Sequence, residues 1–550
     1  MTTLEEFSRK AAAQYLQNIV FVDDEIYDPP SGRPVEMSSV LPAFKTPFAN
    51  TATMPKHEDA GENQPENPPF HPKQLVGSFA KKGMVCALYE PSEGFDTAMG
   101  SEIFNLCERA DAVIFDWDLF KEDGKNILPL IKNLVDESQN SVPHHVRLCV
   151  IYTNKPDLER VANAVYEHLN NAKLDVELFQ KPLALHAGAT RIIILGKPNV
   201  TGRTAENAAL EVLEENLADR VVEEFAKMNS GILPSYALHG MSSIRRNSKK
   251  ILDKFHGEMD GAFLLHRALI VTSEDAFDQL PELLAEEVLA VILDEQILST
   301  DMAHISSEIA GTLPLKLPQL NLILKPNKTA QTDDERVRMF LGGGKPAIKD
   351  EFKFNKDDEV PVGLLHSAMG CDQSKAEKSL AALFNVRTRY FKSKHPTLGF
   401  GTIIRFLHKE GDVDKLTYAL CLMPICDSIR LKHGNIKQTS FPFWSLKNDV
   451  VQNVGGRGIV VLTKEESYLD LMASGKPRDM LWLDKFKADD SGTVVASKED
   501  ESFWFQGDKH RLEWVAQLKP AHAQRIAHDI GQSFSRVGVV EAEWLRILTG

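Results

Sequence analysis

The sequence predicts an N-terminal α/β domain on a parallel sheet, then a helical linker and an α+β C-terminal region. Two observations predict the first part. Short apolar runs end in polar or charged residues, and helical stretches such as 127–137 and 157–170 follow them. The third observation is the β-rich character of the chain from about Gly458 onward, which is typical of antiparallel strands.

The central strand of the predicted sheet is Ala112–Phe115, which is entirely apolar and ends on Asp116. An acidic, polar loop follows, contains Asp118 and closes on Gly124. A buried parallel strand whose carboxyl end carries an acid suits a ligand site, because ligands bind at that edge of open α/β sheets. An aspartate at a strand end is also a common turn residue or helix cap, so this stretch alone does not decide the function.

Three further apolar runs end in side chains that can take part in chemistry. They are 18–22, followed by Asp23 and Asp24; 147–152, followed by Thr153; and 176–180, followed by Lys181 and then Pro182. In an open parallel sheet the carboxyl ends of the strands meet at one edge. The sequence therefore predicts that these carboxylates, one hydroxyl and one ammonium group lie close together.

An acid pair, a lone aspartate, a threonine and a Lys-Pro pair, in this order, resemble the pattern of response-regulator receiver domains. The glycine eight residues after the central aspartate also fits, as Gly124 follows Asp116. The resemblance implies a flavodoxin-like fold with a five-stranded parallel sheet in the order 2-1-3-4-5. An ordinary flavodoxin-like domain with acidic strand ends is the alternative.

The resemblance also implies a role for each of these residues. Asp116 would be the phosphoacceptor, and Mg²⁺ would be bound by Asp23, Asp24, Asp116 and the backbone carbonyl of Asp118. Thr153 would be the switch hydroxyl, and Lys181 the cation that pairs with the phosphate. A carboxylate can attack phosphorus to form an aspartyl-phosphate. Clustered acids repel one another and the phosphoryl group, so a hard cation with oxygen ligands is required, and a lysine supplies further positive charge.

The expected domains are a receiver at 1–200 with a Pro-rich insertion at 28–73, a helical linker at 201–256, and an α+β region at 257–550. A polar, Gly-rich stretch at 326–360 is interpreted as a linker that divides the last region. The apolar positions of 205–228 recur at helical spacing, which fits either a helix packed on its own domain or a dimerising, signal-passing helix. Residues 257–325 and 361–431 are predicted to be largely helical, and so is 521–534.

Composition argues against several classes of function. A net charge of −15 argues against a nucleic-acid-binding protein, because phosphate contacts need a basic face. No apolar run approaches about 18 residues, so no membrane association is expected. The six cysteines have no zinc spacing and no signal peptide is recognised, which favours a cytoplasmic protein with reduced thiols. The sequence does not decide whether the protein forms homo-oligomers.

The remainder of the chain shows no recognisable output domain. The stretches 260–269, 420–431 and 533–548 resemble large receiver proteins of bacterial anti-phage two-component operons. This resemblance implies a phosphate sink that takes phosphoryl groups from a sensor histidine kinase, beside a separate effector protein of the same operon. No enzyme activity is expected beyond self-phosphorylation and hydrolysis at Asp116. The alternatives are an effector in the C-terminal region that is switched by phosphorylation, catalytic or nucleic-acid-binding, and a non-phosphorylated scaffold.

Overall fold

The structure is a computed structural model, and it divides into two compact units that are described separately. The first comprises Met1–Thr312 with Glu335–Lys349, and the second Leu313–Asp334 with Asp350–Gly550. The described residues are 3–26, 71–297 except 142 and 182, 302–313, 315, 331–347, 373–391, 393–410, 413–431, 440–448, 458–463, 467–505 and 510–534. The predicted insertion at 28–73 lies outside the described residues as far as residue 70.

The first unit is built on a seven-stranded sheet. Its strands are β1 (Asn18–Val22), β2 (Val85–Tyr89), β3 (Ala112–Phe115), β4 (Arg147–Thr153), β5 (Glu177–Gln180), β6 (Leu183–Ala187) and β7 (Thr190–Gly196). They lie in the order β2-β1-β3-β4-β7-β6-β5, and the first five are parallel to one another. The predicted α/β fold with a 2-1-3-4-5 parallel sheet is therefore confirmed, with β7 in the fifth place.

The assignment of the fifth parallel strand differs from the sequence prediction. The run before Lys181 is β5, the outer strand of an antiparallel extension, and β6 joins it to β7. Every residue of β7 is buried, whereas β5 is largely exposed. A central strand is apolar on both faces, and of these two runs only β7 meets that condition, with four consecutive apolar residues at 192–195.

Helices cover both faces of this sheet. The helices of the first unit are α1 (Leu4–Tyr15), α2 (Pro72–Ala80), α3 (Glu102–Arg109), α4 (Ile127–Asn140), α5 (Leu158–Asn171), α6 (Ala205–Ala208), α7 (Leu217–Met228), α8 (Ile232–Asp253), α9 (Asp260–Leu269), α10 (Asp275–Asp294), α11 (Met302–Thr312) and α12 (Asp333–Ala347, which begins at the unit boundary). Alternate residues of β1 and β3 enter two separate cores, because strand side chains point to opposite faces. One core contains α3, α4 and α5, and the other contains α1, α2 and α7.

Helix α7 packs within the first unit, as the packed-helix interpretation of 205–228 expects, and α8 belongs to the same unit. Val221 and Phe225 of α7 are fully or almost fully buried in the same core as Phe21 of β1. On α8, the Arg245 guanidinium donates two hydrogen bonds to Asp111, at 2.9 and 3.1 Å. Residues 260–269, 275–294 and 302–312 are helical as predicted, but the predicted linker at 326–360 contains helix α12.

The second unit contains an eight-stranded antiparallel sheet. Its elements are α13 (Gln373–Asn385), β8 (Thr402–Glu410), β9 (Val413–Cys421), α14 (Ile425–Ser428), β10 (Phe441–Lys447), β11 (Gly458–Leu462), β12 (Tyr468–Ala473), β13 (Met480–Leu483), β14 (Ser502–Phe505), β15 (His510–Gln517) and α15 (Pro520–Phe534). The order is β11-β12-β10-β9-β8-β15-β14, and β13 also pairs with β10. The expected α+β character is confirmed.

The prediction of helix for 361–431 was wrong over β8 and β9. Ile403 enters one core and Ile404 the other, and the same holds for Leu420 and Cys421. Because this sheet is covered on both faces, its central strands carry consecutive apolar residues, a pattern that a buried helix also shows. Among the helices that the structure describes, none combines the length and the apolar character needed to cross a bilayer.

Candidate functional site

The candidate site lies at the carboxyl ends of β1, β3, β4 and β7. Strands β1 and β3 pair in parallel with Val22 opposite Phe115, so Asp23 and Asp116 leave the sheet side by side. The Asp116 amide donates a hydrogen bond of 2.8 Å to the Val22 carbonyl, which extends the ladder to the site. Thr153 ends β4, opposite Gly196 of β7.

Three of the predicted metal ligands form one cluster. Asp23 and Asp116 are buried and Asp24 is partly buried, and each offers a carboxylate oxygen within 4.8 Å of the others. Asp23 Oδ1 accepts a hydrogen bond from the Glu25 amide at 2.9 Å, and Asp24 Oδ2 accepts one from the Phe120 amide at 2.8 Å. These bonds fix two of the carboxylates before any ligand arrives.

The cation of this cluster is Lys197, which the sequence interpretation did not identify. Its Nζ lies 3.0 Å from Asp23 Oδ2 and 3.5 Å from Asp116 Oδ1, and its side chain is only 13% exposed. Lys197 follows β7 directly, and its amide donates a hydrogen bond to the Thr153 carbonyl at 2.7 Å. The site therefore has its lysine at the end of the true fifth parallel strand.

The structure places Lys181 away from the acids. Its side chain is 84% exposed and its Nζ lies 3.5 Å from Glu206 Oε1. It follows β5, which is four strands from β3 in the sheet, a separation of about 19 Å at the usual strand spacing. The predicted position of Lys181 was therefore wrong. The missed signal was a second Lys-Pro pair, Lys197-Pro198, after the more apolar run.

Burial and charge act in opposite directions on the pKa values of the two central groups. Burial raises the pKa of Asp116 to about 7, and the ammonium of Lys197 acts against that rise. Burial lowers the pKa of Lys197, but the carboxylates of Asp116 and Asp23 outweigh it and leave that pKa raised. Burial also raises the pKa of Asp24. The cluster therefore holds a firmly charged lysine beside carboxylates whose charge is costly to bury.

Thr153 and Asp118 lie beside this cluster. Thr153 is fully buried, and its Oγ1 accepts a hydrogen bond of 3.2 Å from the Lys155 amide. The Asp118 carboxylate pairs with Lys155 Nζ at 2.8 Å, and its backbone carbonyl accepts a hydrogen bond from the Lys121 amide at 2.8 Å. A carbonyl oxygen has two lone pairs, so the predicted ligand role of the Asp118 carbonyl is compatible with that bond.

The loop after β3 is held in an uncommon backbone conformation. Phe120, Lys121 and Asp123 have φ values of 56°, 59° and 47°, in the left-handed region that non-glycine residues seldom adopt. Gly124 has a φ of 83°, and its amide donates to the Trp117 carbonyl at 3.0 Å. Such strain persists only where the surroundings enforce it, and here Asp24 and Asp118 accept hydrogen bonds from this loop.

Replacing Gly124 by alanine is expected to lower the free energy of unfolding of the first unit by roughly 2–4 kcal/mol. The new Cβ would lie 2.2 Å from Cζ2 of Trp117, and the residue would keep a positive φ. Gly94→Ala is the matched control, because Gly94 has a φ of 75° and, apart from its chain neighbours, no atom of the described residues lies within 4 Å of its Cβ position. Urea unfolding of both variants measures the difference, and equal losses would show that the contact with Trp117 is unimportant.

The cluster fits a divalent cation with oxygen ligands. Asp116 Oδ1 is buried, and among the described residues it accepts no hydrogen bond shorter than its 3.5 Å ion pair with Lys197 Nζ. The described cluster contains three carboxylates and one ammonium group. The positive charge of Lys197 therefore does not balance the negative charge of the three acids. Mg²⁺ prefers a few carboxylates together with water and phosphate oxygens, which is the donor set that Asp23, Asp24 and Asp116 can provide.

Comparison with known protein families agrees with this geometry. The model of the response receiver domain family matches residues 15–202. A response receiver domain therefore spans this part of the chain, and such a domain indicates a phosphoryl-accepting regulator of the two-component type. No curated protein and no solved structure matches the chain.

Proposed function

We propose that the chain accepts a phosphoryl group on Asp116 and serves as a phosphate sink in bacterial anti-phage defence. The observation that carries phosphoryl acceptance is the meeting of Asp23, Asp24 and Asp116 with Lys197 at the ends of parallel strands. A receiver domain implies a phosphodonor such as a sensor histidine kinase. The sink role rests on the resemblance of three short stretches, 260–269, 420–431 and 533–548, to anti-phage receiver proteins.

The chemistry follows from the placement of the side chains. A carboxylate oxygen of Asp116 forms the new bond to phosphorus, while the bond from phosphorus to the donor's leaving atom breaks and that atom keeps the electron pair. Lys197 Nζ lies 3.5 Å from Asp116 Oδ1, where it can neutralise charge on the transferred oxygens. Mg²⁺, held by Asp23, Asp24, Asp116 and the Asp118 carbonyl, would supply further positive charge.

In the sink hypothesis, the protein that accepts the phosphoryl group is not the protein that produces the defence response. The three stretches resemble those of the receiver-only B component of the Detocs system, in which a separate effector protein acts. A sink needs an acceptor that competes with the effector for phosphoryl groups from the kinase. It needs no output domain of its own, which agrees with the absence of a recognisable one in the sequence.

The first test measures phosphoryl acceptance. We expect acetyl phosphate with Mg²⁺ to add one phosphoryl group that is lost in hydroxylamine, as acyl-phosphates are. Asp116→Ala should remain unlabelled, and so should the wild-type chain in EDTA. An unlabelled wild-type chain with Mg²⁺, donor and kinase would leave only the scaffold alternative.

The second test separates the sink from a phosphorylation-switched effector. Asp116→Ala is introduced into the intact operon with its kinase and effector. A sink predicts slower growth without phage, because stray phosphoryl groups then reach the effector. An effector within this chain predicts normal growth and lost protection. Lys181→Ala serves as the control, since Lys181 lies outside the site.

A further inference from the structure

Arg203 places its guanidinium against the two loops that carry Thr153 and Lys197. Its side chain is 2% exposed, and each of its five N–H donors has an acceptor. The acceptors are the carbonyl oxygens of Thr153 (2.8 Å), Lys155 (3.2 and 3.3 Å) and Lys197 (2.5 Å), and Glu211 Oε1 (2.8 Å). One side chain therefore joins the backbone after β4 to the backbone after β7.

The chain is shaped to bring Arg203 to this position. The loop after Lys197 turns back through Asn199 and Gly202, which have φ values of 62° and 85°. Thr204 then caps α6, since its hydroxyl accepts a hydrogen bond from the Asn207 amide at 3.2 Å. Gly196 leaves the space that the guanidinium fills, because a Cβ there would lie 2.4 Å from Arg203 Nη1.

We infer that Arg203 is a positioning residue for phosphoryl transfer, an inference that rests on the proposed function. It holds the backbone of Thr153 and Lys155 in a fixed place relative to the backbone of Lys197. The hydroxyl of Thr153 and the ammonium of Lys197 both belong to the predicted phosphoryl site, and neither loop can shift alone while the guanidinium is bound. Misplacement of such groups by about 1 Å can cost up to about a hundredfold in rate.

The geometry requires a guanidinium. A lysine at this position would have three donors on one nitrogen, whereas the acceptors here are spread around a planar group with five. Among the described residues the Arg203 guanidinium donates to three backbone carbonyls and Glu211 and to none of the three acids, so its removal should leave the metal ligands in place. Metal affinity and phosphorylation rate should therefore respond differently.

The test compares Arg203→Ala and Arg203→Lys with the wild-type full-length chain. The rate of phosphorylation by acetyl phosphate, in which Asp116 forms the P–O bond and acetate leaves with the electron pair, is measured against Mg²⁺ concentration. We expect a maximal rate lower by between about tenfold and a hundredfold in both variants, with a half-saturating Mg²⁺ concentration within about twofold of wild type. Arg9→Ala is the control, because the Arg9 side chain is exposed and its guanidinium forms a surface ion pair with Asp219.

A second variant keeps the inference testable if Arg203→Ala fails to fold. Gly196→Ala should displace the guanidinium without removing it, and should lower the maximal rate in the same way. If Arg203→Ala folds, adding Gly196→Ala to it should cost little more, because the two changes disturb one interaction. Independent, additive losses would overturn the inference, and so would an unchanged maximal rate in folded Arg203 variants.

Failure of this inference differs from failure of the proposed function. If phosphoryl acceptance, the part of the proposed function on which the inference rests, is wrong, the wild-type chain is not phosphorylated on Asp116 by any donor. If only the inference is wrong, wild type and the Arg203 variants are phosphorylated at equal maximal rates. If the half-saturating Mg²⁺ concentration rises as the maximal rate falls, the substitution has damaged the whole site. That result would also overturn the inference.

Discussion

Replacing Lys197 by alanine is expected to lower the rate of phosphorylation at Asp116 by about a hundredfold or more, whereas Lys181→Ala should leave it unchanged. Lys197 Nζ lies 3.0 Å from Asp23 Oδ2 and 3.5 Å from Asp116 Oδ1, in a largely buried site. A preorganised charge in such a site acts on the developing charge of the transferred group far more strongly than it would in solvent. Lys181 is exposed and pairs with Glu206, where solvent screens its charge.

The comparison uses two lysines that are each followed by proline and that end strands of the same sheet. Phosphorylation by acetyl phosphate is followed with Mg²⁺ at a saturating concentration. The Lys197→Ala variant keeps all three acids, so it should still bind Mg²⁺. Measured Mg²⁺ binding then shows that the site of the variant has folded. Equal rates for Lys197→Ala and wild type, or a loss of rate confined to Lys181→Ala, would contradict the structural assignment.

The difference between these two lysines shows how far the sequence can define the site. The acids and the threonine could be predicted because each directly follows a short apolar run, and parallel strands bring such residues to one edge. The lysine could not be chosen by order alone, because β5 and β6 form an antiparallel hairpin that precedes the fifth parallel strand. Hydrogen bonding between strands decides which run is central, and it depends on residues distant in sequence.

Arg203 and strands β8 and β9 were missed for related reasons. Arg203 belongs to no motif, and its role arises from carbonyl oxygens of two separate loops. The run 402–421 has no strict alternation of apolar and polar residues, because both faces of its sheet are covered. When both faces of a strand are buried, apolar and polar residues no longer alternate along it, and that alternation is the pattern by which a strand is recognised in a sequence.

Replacing Asp116 by asparagine is expected to stabilise the first unit at pH 8 without Mg²⁺, by as much as about 4 kcal/mol, at ~1.4 kcal/mol per pKa unit. Burial raises the pKa of Asp116 to about 7 in the folded chain, against about 3.9 when unfolded. The folded state therefore binds this proton more tightly. That contribution to stability is fully present below about pH 3.9 and is lost as the pH rises through about 7.

The sign of the effect fixes how the two proteins should differ with pH. Asparagine has nearly the same size but does not ionise, so the variant avoids the cost of a buried carboxylate at pH 8. At pH 5 the advantage should shrink to less than half of its value at pH 8, because the wild-type Asp116 is then largely protonated in the folded state. Urea unfolding, followed by hydrogen exchange of amides in β1 and β3, measures the stability of this unit.

Mg²⁺ should narrow the difference in stability between the two proteins at pH 8. A cation that binds only the folded state stabilises it by about 2.7 kcal/mol at a hundred times its dissociation constant. Wild type should gain this stability, whereas Asp116→Asn, which lacks one of the three carboxylates, should gain little. If the variant is instead less stable than wild type at pH 8 without Mg²⁺, then the ion pair with Lys197 outweighs the burial of Asp116. The acid cluster would then be balanced without a metal, and the metal-dependent step of the proposed function would lose its physical basis.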